Sequence, residues 1–502
     1  MDPLDRRQFL ATFSCTLATL SSKPLQAVPL MAQANGEACW LEVCAPFILE
    51  DGEHDLHTEI ILTSDTFAGA RGHSDTPART EYEVYLYDDA GQPIGEKGIA
   101  RRLVVPALQT TVIPVQELIG KKQTFWGGMK IRLRPSGQGI THASDLFSSA
   151  FVRWQTDNSF DNVHANPDPL QWQNTTSFHY SMPFPSLSEY DCLFSLFNPN
   201  AQTSVGEIVL RDPLGANLQT LRYELKAHNS LLFHLNSGAL VRDPRSENNA
   251  PSKYATHGSL AATNEEGTAK CFGYLMIRRP TQKRFSVEHP IHQGVFKPKP
   301  ASPPFDEKEQ FKARNVLYSP LLFRGKKLGG VTLESRVLLG TGLPLEESLW
   351  AYPMAIDASG EVVWSSMSDD KLKSQLATGQ CERKVIRLGA GQSCALDFVK
   401  LSISNEFSGG LALAVTPDTT HTLMKVEVRV PEWNAYAFTH FRPGLRSARN
   451  YQKPKERGSL ATDYITTGAR LTPGQFDEIL GIINIDDQGV EGQPILEIFT
   501  AR

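Results

Sequence analysis

VPALQTTVIPV, from Val105 to Val115, has two further copies in the chain: LKAHNSLLFHL from Leu225 to Leu235, and LGAGQSCALDF from Leu388 to Phe398. The three share one frame. An apolar residue (Val105, Leu225, Leu388) stands two before an alanine (Ala107, Ala227, Ala390). An amide follows (Gln109, Asn229, Gln392), then a hydroxyl (Thr110, Ser230, Ser393). An apolar pair two apart closes the frame: Ile113 and Val115, Phe233 and Leu235, Leu396 and Phe398. Small or polar turn formers between flanks of period two predict a strand, a tight turn and a returning strand. The amide and hydroxyl suit a turn and recur in every copy, so the frame reads as structural, not catalytic.

The neighbourhood repeats too. Upstream of each copy an apolar strand ends in Asp-x-x-Gly: Asp88 with Gly91, Asp212 with Gly215, Asp357 with Gly360. Asp bonds its own backbone across a turn and Gly accepts positive φ, so both belong at hairpin tips. Downstream, Phe125–Gly128 and Phe407–Gly410 read Phe-x-Gly-Gly before an alternating strand, and CFGYLMIRRP from Cys271 is taken as the second copy's equivalent. A period of roughly 120 to 160 residues exceeds any solenoid unit and suits whole sandwich domains. The expected fold is therefore all-β: three tandem sandwiches plus a small C-terminal helix and hairpin extension. In pattern the repeats resemble bacterial immunoglobulin-like sandwiches. That resemblance carries over no functional residue.

The expected boundaries are a leader at 1–34, sandwiches at 38–155, 178–292 and 314–431, and linkers at 156–177 and 293–313. The second linker holds KPKPASPPF and is rich in Pro and Lys. Residues 432–502 form an aromatic-basic segment followed by a fourth Asp-x-x-Gly hairpin at Asp486 and Gly489.

With 40% hydrophobic and 21% charged residues over 502 positions, the chain has ordinary globular composition. A formal charge of -5 gives no argument for nucleic acid as a partner. Asp5-Arg6-Arg7-Gln8-Phe9-Leu10 resembles the twin-arginine export signal, although Asp5 replaces the usual hydroxyl residue and Ala11 the lysine. A short apolar run, Phe9 to Leu20, and the small-x-small site Ala32-Gln33-Ala34 follow. The resemblance implies a folded protein exported to the periplasm or beyond, with Asn35 first in the mature chain.

Of seven cysteines, six remain after such a leader is removed. In an oxidising compartment Cys192 and Cys271, on the first and last strands of the second sandwich, are the expected disulfide, facing each other across its core. Buried thiols are the alternative.

Two histidine clusters invite a metal: His54 with His57, and His289 with His292. Imidazole pairs bind first-row metals, yet neither cluster completes a ligand set. No nucleophile elbow, phosphate loop or Cys-x-x-Cys pair is present, so no catalytic residue is assigned and no cofactor is expected. Trp433, Tyr436, Phe441, Arg442, Arg446 and Arg449 could dock on an acidic protein, anionic headgroups or a sugar polymer. Alternatively the aromatics fill a seam while the cations are solvated.

The expectation is an exported, non-catalytic binding or scaffold subunit of the cell envelope, partnered by another envelope protein or a polysaccharide, with peripheral membrane contact also compatible. The alternatives are a metal-binding or enzymatic periplasmic subunit with its site between domains, and a carbohydrate-binding surface protein. In the last, Trp126, Trp154, Trp172, Trp350 or Trp433 would stack on sugar rings.

Overall fold

The computed structural model describes residues 40–443 with breaks, the longest at 65–78, 136–149, 168–178, 294–314 and 366–385. Strands take up 69% of the described residues, and every strand pair is antiparallel. The chain is all-β.

Six sheets form, and their order repeats. The first repeat runs β1 (Leu41–Asp51), β2 (His57–Ser64), β3 (Thr80–Asp88), β4 (Arg101–Val105) and β5 (Gln109–Pro114). It continues with β6 (Thr124–Pro135), β7 (Ala150–Gln155), β8 (Phe160–His164) and β9 (Asn166–Pro167). The second runs β10 (His179–Phe184), β11 (Asp191–Phe197), β12 (Ser204–Arg211), β13 (Asn217–Leu225) and β14 (Ser230–His234). It closes with β15 (Gly258–Asn264), β16 (Phe272–Arg279), β17 (Arg284–Glu288) and β18 (Ile291–Gln293). The third runs β19 (Asn315–Arg324), β20 (Val331–Thr341), β21 (Leu349–Asp357), β22 (Ile386–Leu388) and β23 (Ser393–Asp397). It ends with β24 (Phe407–Thr416), β25 (Thr422–Val430), β26 (Ala435–His440) and β27 (Arg442–Pro443).

One sheet of the first repeat is ordered β4-β3-β6-β1-β9 and the other β5-β2-β7-β8. Adding nine to each label gives the second repeat, and adding nine again gives the third. Short flanking strands such as Pro93–Ile94 and Ala239–Val241 are the only departures among the described residues. The same two-sheet strand order thus occurs three times along the described chain. Each reaches past its expected end, because β8 and β9 occupy the first linker and β26 and β27 the start of the presumed tail.

Three expectations are corrected. The signature stretch is not a hairpin: β4 and β5 lie in different sheets, as do β13 and β14, and β22 and β23. The turn carries the chain from one layer to the other, which alternation on both flanks cannot distinguish from a hairpin. The topology is also not that of an immunoglobulin constant domain, whose first strand shares a sheet with the second and whose last pairs with the sixth. Here the first strand pairs with the sixth and the seventh with the second. Finally, the strand equivalent to Phe125–Gly128 in the second repeat is not CFGYLMIRRP, which is β16. It is β15. Gly127, Gly258 and Gly409 stand at one position: a Cβ on each would lie 2.0 Å from the carbonyl oxygen of Tyr87, Arg211 or Ile356. Only glycine lets the sixth strand pass the third so closely.

The sandwiches are fused face to face. The core of the first includes Leu193, Tyr274, Met276 and Val287 of the second, and the core of the second includes Cys44 and Tyr87 of the first with Leu338 and Phe438 of the third. At Gly128 a Cβ would meet the Phe197 ring at 2.3 Å, so that ring fills the space a side chain would take. Being covered on both faces explains why β11, β14 and β16 are apolar runs (CLFSLF, SLLFH, FGYLMI) instead of alternating.

Candidate functional site

The repeated frame has a use that reaches beyond its own turn. At each hairpin tip Asp88 and Asp212 cap the loop identically. Gly91 N–H donates to Asp88 O at 2.9 Å and Gly215 N–H to Asp212 O at 3.0 Å. The carboxylates accept from Gln92 N–H at 2.7 Å and Ala216 N–H at 2.8 Å. Both glycines have positive φ, 76° and 86°.

Each tip docks on the signature turn of the next sandwich. Ser230 N–H donates to Asp89 O at 3.0 Å, and Ser393 N–H to Pro213 O at 3.1 Å. The amide adds a second bond. With its nitrogen facing the tip, Asn229 donates to Ala90 O at 3.0 Å. Gln392 Nε2 donates to Leu214 O at 3.0 Å while its Oε1 accepts from Gly389 N–H at 2.7 Å. The residue before the aspartate covers the left-handed residue of the turn. Tyr87 stacks on His228 (φ 61°) with ring centroids 4.2 Å apart, and Arg211 lies over Gly391 (φ 65°). Burial, with the Lys130 charge nearby, lowers the His228 pKa to about 4, so that ring stays neutral against Tyr87. The amide and hydroxyl positions therefore serve the junction between sandwiches as well as the turn.

A second line of contact runs along the other edge through the eighth strands. Asp161 on β8 accepts from Ser286 Oγ–H at 2.6 Å and Val287 N–H at 2.8 Å on β17. Ser286 Oγ in turn accepts from Phe438 N–H on β26 at 3.1 Å. Burial, reinforced by the Glu288 carboxylate, raises the Asp161 pKa to about 7, against the pull of its donors. Lys425 of the third sandwich pairs with Glu288 and donates to His289 O at 3.1 Å. Burial lowers its pKa and Glu288 opposes that shift. Nearby, Tyr190 donates to Glu427, which is fully buried and flanked by Arg336 and Arg429.

The sequence-predicted residues fall as follows. Tyr436 is turned into the seam between the second and third sandwiches: its hydroxyl donates to Ile277 O at 3.1 Å and Arg284 O at 3.0 Å, and its ring meets Tyr190. Arg442 lies in β27, paired with Tyr318, and Trp433 in a 3-10 turn, Pro431–Trp433. Phe441, Arg446 and Arg449 lie outside the described residues, as does His54. His57 Nδ1 sits 2.7 Å from the buried Glu50 carboxylate. His289 packs edge-on against His164 and His292 lies in β18. No cluster of three or more His, Cys, Asp or Glu fit for a metal occurs among the described residues.

Cys192 and Cys271 are both buried and are not joined in a disulfide. Their strands pair within one sheet, with Cys192 opposite Ile277, six residues beyond Cys271. At about 3.3 Å per residue the two stand roughly 20 Å apart, well beyond disulfide reach. Trp154 is wholly buried and cannot stack on a sugar.

Sequence reasoning missed one constellation. His234 Nδ1 lies 2.8 Å from Ser237 Oγ, its Nε2 contacts Asp191, and Arg278 pairs with the same carboxylate. The imidazole is 3% exposed and the serine lies three residues along the same turn. This holds the β14 turn against β11, with Ser237 partly exposed.

Comparison with protein-family models, with curated proteins and with solved structures finds no match for this chain.

Proposed function

We propose that the chain is an exported, non-catalytic scaffold or binding subunit of the cell envelope. The observation that carries this reading is the repeated junction: the same tip-into-turn contact fixes the second sandwich on the first and the third on the second. Sheets stacked face to face with shared cores give a stiff rod whose loops are presented at fixed spacing, which suits a scaffold. The twin-arginine resemblance of Arg6 and Arg7 supports export of a chain folded beforehand, and a fused stack is difficult to thread unfolded.

The reading is tested by expressing the chain with its own N-terminus in a bacterial host and purifying it gently from the envelope fraction. Intact mass should place the mature start near Asn35, and Arg6→Lys with Arg7→Lys should retain the chain inside. A stoichiometric protein or polysaccharide should accompany the wild-type chain. An intact N-terminus in the cytoplasmic fraction overturns the export claim, and a turnover activity on a small molecule overturns the scaffold claim.

A further inference from the structure

The seam along the eighth strands gathers ionisable groups of all three sandwiches into one cluster. Asp161 comes from β8, Glu288 from β17 and Lys425 from β25. Glu288 and Lys425 are each only 3% exposed. Asp161 keeps part of its surface in solvent, but its carboxylate is turned onto β17, where Ser286 Oγ–H and Val287 N–H hold it. Asn162 N–H is a third donor at 2.7 Å. On β7 the residue opposite Asp161 is Trp154, which carries no charge. Farther along the seam His164 and His289 face each other with ring centroids 4.5 Å apart.

Fully ionised, Asp161, Glu288 and Lys425 sum to a net negative charge. Lys425 and Glu288 already neutralise each other through their ion pair. An ionised Asp161 therefore sets a second carboxylate beside Glu288 away from water, whereas a protonated one adds no charge. Its three donors favour the ionised form, but burial and the Glu288 charge outweigh them. The carboxyl sits at a joint and not within a sheet, because Ser286 and Val287 belong to the next sandwich. Ser286 Oγ also receives Phe438 N–H, which ties the third sandwich to the same point.

We infer that this cluster is a proton-operated latch: a proton on Asp161 closes the seam between the first and second sandwiches, and its loss loosens that seam while the sheets stay folded. The tip-into-turn junction at the other edge, Ser230 N–H on Asp89 O, stays made and acts as the hinge. The stack is then stiff in acid and bends at its first joint near neutrality. The inference goes beyond the scaffold reading and rests on the seam, so it holds in any compartment.

Hydrogen exchange of the full chain between pH 4 and pH 8 tests it at the Val287 amide, which donates to Asp161. An open seam returns Asp161 to its ordinary proton affinity, and that sets the slope. Corrected for the intrinsic pH dependence of exchange, protection should fall about tenfold per pH unit from about pH 4. It should level off near pH 7, where the folded carboxyl itself ionises. Asp161→Asn should hold the wild-type pH 4 protection throughout. A variant that failed to fold would lose protection, so misfolding cannot mimic that result. Because only the seam opens, the Val287 amide should exchange at least about tenfold faster than amides inside β11. Protection equal to that of β11 would mean that only global unfolding releases Asp161, and overturns the inference. So does a flat wild-type profile, or a fall with rising pH that persists in Asp161→Asn. A fall on acidification would assign the response to His164 and His289 and overturn the role of Asp161.

Discussion

Gly258 shows how a single position carries fold information. Its counterparts Gly127 and Gly409 face the same carbonyl at the same 2.0 Å. Gly258→Ala must push β15 away from β12, and overpacking of this kind costs about 1–3 kcal/mol. Urea unfolding of the full chain should show that loss, and an unchanged midpoint would contradict the assigned equivalence. Asp161 gives a pH-dependent test. Between the usual aspartate value of about 3.9 and its folded value of about 7, the folded chain holds a proton that the unfolded chain has released. Stability contributed by that proton is complete below the lower value and is lost as pH rises through the upper one. Relative to Asp161→Asn, the wild-type Tm should fall between pH 4 and pH 7 and level off above. Parallel curves would show that the carboxyl is ionised throughout.

At the scale of elements, much was legible in the sequence and some was hidden for physical reasons. The Asp-x-x-Gly tips are local devices, so Asp88, Gly91, Asp212 and Gly215 could be placed from sequence and sit in hairpin tips. The signature stretch was recognised as a repeated turn, but its two strands lie in different sheets, and period two looks the same in either case. β15 (GSLAATN) was overlooked because its outer face is small and polar where it meets the next sandwich: Ser259 Oγ–H donates to Gly391 O at 2.6 Å. The Cys192–Cys271 pairing failed because it assumed an immunoglobulin order of strands. Long-range pairing of this kind is not encoded locally. The continuous apolar runs of β11 and β14 did carry the signal that their sheet is buried on both faces. That signal marks fused sandwiches as distinct from beads on a linker.

For the whole molecule, fusion implies cooperative unfolding. Calorimetry of the wild-type chain should show the second sandwich melting together with its neighbours, since its residues belong to the core of the first and residues of both neighbours belong to its own. Gln392→Ala removes the bonds to Leu214 O and Gly389 N–H and should weaken the second junction by about 1–2 kcal/mol. The third sandwich should then melt as a separate, earlier transition. A single unaltered peak would mean that face-to-face packing alone holds the stack.

The most direct test of the tip-into-turn junction is amide hydrogen exchange at Ser230 and Ser393 in the monomeric full chain. Their N–H groups donate to Asp89 O and Pro213 O, carbonyls of the preceding sandwich. Both should be protected as strongly as amides within the sheets. If Ser230 and Ser393 instead exchange as fast as amides of exposed loops, the sandwiches are not locked through this contact and the account is wrong.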